Sequence, residues 1–346
     1  MNRPDGHRAA SVGMGSVCVL AASLLWGTTG TAATFAPAVG PLAIGAVAMG
    51  LGGLLQALIA APRIRREAPR LRARRGVVLL GALAVAAYPL AFYSSMHLAG
   101  VAAGTVVSIG SAPLASALIE RVVDGRRLTR RWITGAVLGL SGTVLLCVAE
   151  SAGAISGPEA RSAGTTVLGV GLGLVAGLTY ALYSWAAHRL IHRGVSSAAA
   201  MGSVFGIGGT LLLPVLLATG APLLESWPNA AVGAYMALVP MFLGYVLFGW
   251  GLAQVPPSTA TTLSLLEPAV AAMLAVLVVG EHLPLPGWAG VTLVVGCLAV
   301  LTTPSRSMTE RRTVAERHAP APGGEGAHRP HRATVEDGDL AAAGDR

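Results

Sequence analysis

The chain has 346 residues, of which 53% are hydrophobic and only 12% charged, and its mean hydropathy of +0.66 leaves too little charge to cover a soluble surface of its size. Its net charge of +8 rests on arginine, because the chain contains no lysine, and the arginines fall in short runs between apolar stretches. That pattern excludes a nucleic-acid surface and a Walker-type lysine loop, and it matches the loops that flank membrane helices.

A membrane helix needs about 20 mostly apolar residues. Residues 1–14 form a short polar segment, expected to be cytoplasmic, and Gly15–Phe35 is the first span. Arg3 and Arg8 precede it, but its apolar run exceeds the roughly 7–15 residues of a signal core, so it reads as a retained helix. Then come Pro41–Ala61, Gly76–Met96, Ala99–Leu118 and Trp132–Ala149, which complete a first set of five spans over residues 15–150. A second set fills residues 165–303, with spans at Thr165–Ala187, Ala199–Thr219, Ala230–Leu252, Ser258–Gly280 and Gly287–Thr302. After Thr303 the composition changes to arginine, glutamate, proline and glycine, which cannot bury enough surface to offset the entropy of ordering. Residues 304–346 are therefore expected to form a disordered cytoplasmic tail.

Arginine placement orients the chain. Arg63 to Arg75 follow the second span, Arg121 to Arg131 the fourth, and Arg189 and Arg193 the sixth. All three loops share one side if the amino terminus is cytoplasmic, while Glu150, Glu159, Arg161, Glu225 and Glu281 fall on the other. The expected location is the inner membrane of a bacterium, with both termini cytoplasmic.

The two sets resemble each other. Val101, Gly104-Thr105, Ser111-Ala112-Pro113, Gly125, Leu128, Trp132 and Gly135 run parallel to Val255, Ser258-Thr259, Leu266-Glu267-Pro268, Gly280, Leu283, Trp288 and Gly290. An odd number of spans per set makes the second enter the membrane from the opposite side. Inverted repeats of this kind are a mark of secondary transporters, whose halves exchange conformations about a central site. The expected fold is an all-α integral membrane protein of ten transmembrane helices, arranged as two inverted five-helix repeats.

With Leu25-Trp26-Gly27-Thr28, Ser111-Ala112-Pro113-Leu114, Leu265-Leu266-Glu267-Pro268, Gly280-Glu281-His282-Leu283 and Gly287-Trp288-Ala289-Gly290 in view, the chain resembles the EamA family of the drug/metabolite transporter superfamily. The resemblance implies a ten-helix bundle that exports or exchanges amino acids, related metabolites or drug-like compounds without ATP. One departure is that the Gly-Glu pair of the second half reads Gly125-Arg126 in the first.

Glu267 is the acidic residue that lands near the middle of a predicted span. A carboxylate there costs about 2.5–3.5 kcal/mol on insertion scales and so should face the bundle interior. Two readings stay open: a contact for a coupling proton or a substrate amine, or a neutral carboxyl hydrogen-bonded near a kink at Pro268. Pro89, Pro113, Pro240 and Pro268 are candidate kinks, each removing a backbone donor and freeing a carbonyl. Trp26, Tyr88, Tyr93, Tyr180, Tyr183, Tyr245 and Trp250 are aromatic candidates, with Tyr93 and Trp250 read first as interfacial anchors. Tyr180, Tyr183 and Ser184 share one helix face, and Ser111 adds a hydroxyl to the candidate path. Gly135-xxx-Gly139 and Gly173-xxx-Gly177 read as packing motifs. His188 and His192 have the spacing of two metal ligands without an evident third, and Cys18, Cys147 and Cys297 read as small packed hydrophobes.

The expected activity is secondary export or exchange of a small polar or amphipathic metabolite by alternating access, with import as the alternative. An intramembrane enzyme would need two convergent catalytic groups at depth, and only Glu267 presents itself; a sensor would be expected to carry a large soluble domain. The expected partners are a small-molecule substrate, the lipid bilayer and a coupling proton. No cofactor, metal or nucleic acid is expected, no residue is assigned a catalytic role, and nothing specifies an oligomeric state.

Overall fold

The computed structural model describes residues 4–154, 163–279 and 284–302. No strand occurs among them, as expected where lipid offers the backbone no partner and each segment must satisfy its own hydrogen bonds. Ten helices are long and apolar enough to cross a membrane: α1 Gly13–Ala33, α2 Pro41–Arg72, α3 Arg75–Ala99, α4 Ala103–Val123 and α5 Arg130–Val148, followed by α6 Gly164–Ile191, α7 Ser197–Thr219, α8 Trp227–Leu252, α9 Pro257–Val278 and α10 Leu285–Thr302. The expected tail, Glu159, Arg161 and Gly280-Glu281-His282-Leu283 lie outside the described residues.

Helix ends follow local chemistry. Pro41 and Pro257 open α2 and α9, where a missing donor costs nothing, and the Ser196 and Ser226 hydroxyls accept the backbone N–H of Ala199 and Asn229 at the starts of α7 and α8. Gly125, at φ +66°, turns the chain out of α4, and the Glu120 carbonyl accepts from the N–H of both Asp124 and Arg126.

Two helices run further than hydropathy predicts. α2 continues from Ala61 to Arg72, because arginine, glutamate and leucine are good helix formers once the chain has left the apolar layer. That extension docks on the turn between α6 and α7: the Glu67 carboxylate accepts the Ser196 N–H at 2.7 Å, and Arg70 donates to the Gly194 carbonyl at 2.9 Å. Each charge sits at the helix end that its sign favours. α4 likewise passes Leu118 and ends at Val123, which carries Glu120 into the helix.

Helices in corresponding positions of the two sets pair with one another: α2 with α7, α4 with α9, and α5 with α10. Other large contacts also come in matched pairs: α3 with α6 against α1 with α8, α4 with α6 against α1 with α9, and α3 with α7 against α2 with α8. Glycines permit the close approaches. A side chain on either Gly142 or Gly290 would stand 2.7 Å from the other's carbonyl oxygen. Gly135-xxx-Gly139 and Gly173-xxx-Gly177 also face neighbours within the bundle, Leu301 and Cys297 for the first pair, Ser95 and Ser108 for the second. Large apolar side chains such as Leu58, Leu83, Leu118 and Leu178 stay exposed, as a lipid-facing surface requires.

Hydrogen bonds bring the arginine-bearing ends together. The Arg189 guanidinium meets the Asp124 carboxylate at 2.6 Å, joining the ends of α6 and α4, and Arg131 donates to the Val300 carbonyl at 2.5 Å, joining α5 to α10. Opposite them, Ala36, Val39, Ile44, Leu223 and Val232 close an apolar cluster at the α1–α2 and α7–α8 connections. Reporter fusions after Gly153 and after Thr303 should therefore report opposite sides of the membrane. The same signal from both would contradict this arrangement.

Candidate functional site

The Trp26-Gly27-Thr28 stretch joins α1 to two neighbours, α8 through Trp26 and Thr28 and α9 through Gly27. The Trp26 indole N–H donates to the Pro240 carbonyl at 2.9 Å, within a π-helical turn of α8 at Ala237–Leu243. A β-carbon on Gly27 would stand 2.6 Å from Val270 and 3.0 Å from the Glu267 carbonyl, so only glycine lets α1 lie this close to α9. The Thr28 hydroxyl donates to the Leu25 carbonyl at 2.6 Å and therefore accepts from the Tyr235 hydroxyl at 2.7 Å. The regular helix of α1 ends at Gly27 and resumes as the short turn Thr29–Ala33.

α9 is interrupted one turn before Pro268. Proline offers no N–H to the Ser264 carbonyl, which accepts instead from the Glu267 N–H at 3.0 Å, and the helix restarts at Leu266. Glu267 thus stands in the first turn of Leu266–Leu274. A helix start favours negative charge, while apolar surroundings oppose it.

Glu267 lines a narrow cavity of about 30 Å³, room for about two water molecules. Its walls carry the rings of Trp26, Tyr88, Phe92, Tyr93, Tyr180 and Tyr245, with Met49 and Met241 between them. Trp26 lies 4.9 Å from Tyr245 and 6.4 Å, edge-on, from Tyr180, and Tyr88 lies 5.7 Å from Tyr180. Such ring separations suit offset and edge-to-face packing. Beside this cage the Tyr183 ring stacks on Tyr180 at 5.2 Å and its hydroxyl pairs with that of Tyr245 at 2.8 Å, over fully buried Phe205 and Phe248. The Tyr180 hydroxyl donates to Ser264 Oγ at 2.8 Å, at the interruption of α9. A wider apolar cleft of about 470 Å³ includes Thr28, Phe35, Tyr235 and Leu274, so the Thr28–Tyr235 hydrogen bond stands where the cleft approaches the cavity.

The structure brings Glu267, Trp26 and Tyr180 to one cavity and sets Tyr183 beside it. Pro89 lines the cavity inside an unbroken α3, and Pro113 lies in an unbroken α4, whereas the helix changes form at Pro240 and Pro268. Ser111 packs instead against Gly177 of α6, and Ser184 is fully buried without a hydrogen-bond partner. Tyr93, read first as an anchor, is a cavity residue because Gly45 leaves space for its ring, while Trp250 is 50% exposed. His188 gives its Nδ1 to the Leu252 carbonyl at 2.7 Å and lies against His192.

Sequence reading missed Glu120. Placed beyond the fourth span among arginines, it is 3% exposed, and its carboxylate accepts the Ser258 N–H at 2.8 Å and the Ser258 hydroxyl at 3.0 Å. It caps the start of α9 from another helix. Thr261 donates to Ser116 at 3.3 Å, and Asp124 accepts from the Trp185 indole at 2.8 Å. These bonds tie α4 to α9 and to α6 on the arginine-bearing side. The signal was the run of hydroxyls from Ser258 to Ser264, which needs polar partners if it is to lie inside a membrane.

Residues 13–148 and 167–303 both match the family model described as the EamA-like transporter family. The chain is 33% identical over 296 residues to "Uncharacterized transporter YwfM" of Bacillus subtilis (strain 168), covering 85% of this chain and 96% of that protein. It is 27% identical over 303 residues to a "Probable terminal-alkyne amino-acid exporter" of Streptantibioticus cattleyicolor, covering 83% and 95% respectively. A solved crystal structure matches with a TM-score of 0.66 at 22% identity, over 86% of this chain and 98% of that one, a likeness of fold.

Removing the Glu120 side chain would leave two donors of Ser258 without partners, at about 1–3 kcal/mol for each buried group. Glu120→Ala should lower the thermal unfolding midpoint of the purified protein, and Glu120→Gln, which keeps one acceptor, should lower it less. Equal midpoints for wild type and Glu120→Ala would refute a stabilising role for this contact.

Proposed function

The chain belongs to the EamA-like transporter family, and from that membership we propose that it is a secondary exporter or exchanger of a small polar or amphipathic metabolite, an amino acid or a drug-like compound. It is a multi-pass membrane protein, and transport by a member of this family requires a small-molecule substrate. Glu267 carries the proposal: an acid in the first turn of a broken membrane helix, facing a cavity walled by aromatic rings. Broken helices near the midplane are where secondary transporters hold substrates and coupling ions.

Alternating access needs two halves that can exchange shapes. The double match to one family model, the odd number of helices in each half and the matched helix pairings support inverted repeats. In this reading the Glu120–Ser258 contact closes the cytoplasmic side, and Trp26, Thr28 and Tyr235 form the contacts that part on the other. The arginine loops favour a bacterial inner membrane with cytoplasmic termini, by the positive-inside rule. The name of the Streptantibioticus relative supports export.

Glu267 is proposed to carry the coupling proton when no substrate occupies it. An imposed pH gradient across proteoliposomes should then drive uptake or release by the wild type. Glu267→Gln keeps size and hydrogen bonding but cannot titrate, so pH-driven flux should fall by about tenfold or more while the protein still reconstitutes. Full flux with unchanged pH dependence would leave Glu267 a structural hydrogen-bonding group.

A further inference from the structure

Glu267 is the one charged side chain among the described residues that line the cavity. The other polar side-chain groups are the hydroxyls of Thr29 and the tyrosines and the Trp26 N–H, which is already given to Pro240. Among the described residues no arginine, histidine, asparagine or glutamine lines it, and the chain has no lysine. The histidines nearest the described spans' ends do not reach it: His97 lies in the last turn of α3, and His188 is bonded to Leu252 beside His192. The helix start that could attract an anion, at Leu266, already holds Glu267.

We propose, resting on the reading that this cavity is the transport site, that its substrates are monovalent organic cations: an amine on an apolar body, without a carboxylate. Aromatic faces attract a cation through their quadrupoles, and a carboxylate beside them supplies the counter-charge. One acid matches one positive charge. The carboxylate of a zwitterion would lose its water to meet π faces and Glu267, with no charged donor to replace it, only hydroxyls, of which Thr29's is given to the Trp26 carbonyl, Tyr180's to Ser264, and Tyr245's is paired with Tyr183's. The cavity as it stands holds about two water molecules, so an organic body enters only when its aromatic walls part, and Met49 and Met241 supply flexible apolar wall for that adjustment.

A matched series separates charge from shape. Purified full-length protein is titrated by calorimetry with 2-phenylethylammonium, phenylalanine and 3-phenylpropionate, which share a phenyl body and differ in charge. The cation should bind at least about tenfold more tightly than the zwitterion, and the anion least. Glu267→Gln should abolish the cation's advantage. Glu267→Asp, which keeps the charge, should preserve the order at weaker affinity and guards against a folding defect in the first variant. Phenylalanine binding as tightly as the cation, or no binding of the cation, overturns the proposal. Proteoliposome flux of the same compounds tells the two readings apart: phenylalanine flux that depends on Glu267 removes the cation class and keeps the site. Flux of all three that is indifferent to Glu267 removes both.

Discussion

One constraint organises this molecule: the Glu267 carboxyl must live in a low-dielectric interior where no basic residue, among those described, lines its cavity to pair with it. Glu267 cannot face lipid, so α9 turns it inward, and the missing N–H of Pro268 breaks the helix so that the acid begins a new one. Aromatic rings then close around it. They are large enough to exclude lipid and carry hydroxyls that bond one another, as Tyr183 does with Tyr245 and Tyr180 with Ser264. α1 comes close enough to complete the wall because position 27 is glycine and because the Trp26 N–H finds the Pro240 carbonyl.

The two halves share a pattern and differ where chemistry is concentrated. In the parallel series of motifs, Glu267 corresponds to Ala112, which is fully buried in α4. The first half places its acid lower, at Glu120, where it caps α9 on the arginine-bearing side. One half thus contributes the acid at the cavity and the other the acid at the seal. The Ser258–Ser264 hydroxyl run lies between them, linking Tyr180 at the cavity to Glu120 at the membrane face through a single helix segment. A movement that parts α4 from α9 must break the Glu120 contacts, which joins the seal mechanically to the helix that carries Glu267.

Hydropathy made the ten helices legible, because about 20 apolar residues have few alternatives to a membrane span. It was weaker at helix ends. The Arg63–Arg72 segment reads as a loop by charge, yet it stays helical because the α6–α7 turn supplies Glu67 and Arg70 with partners far away in sequence. That Glu267 and Trp26 fall inside spans was also legible. Facing was not: Tyr93 lies toward a helix end and still reaches the cavity past Gly45, while Ser111 points at Gly177. Period and hydropathy give how deep a residue lies, and helix pairing decides what it faces. Glu120 escaped notice for the same reason, since its partner Ser258 stands 138 residues away.

If the Glu267 carboxyl faces the cavity and is the group that substrate engages, bound substrate should shield it from a carboxyl reagent. Dicyclohexylcarbodiimide is an apolar reagent that modifies protonated carboxyls in membrane interiors, and peptide mass mapping reads which residue it has reached. Modification is expected at Glu267 in the reconstituted protein, suppressed in proportion to occupancy when 2-phenylethylammonium is present. Glu267 left unmodified while other carboxyls react, or modified equally with the site saturated, would contradict it.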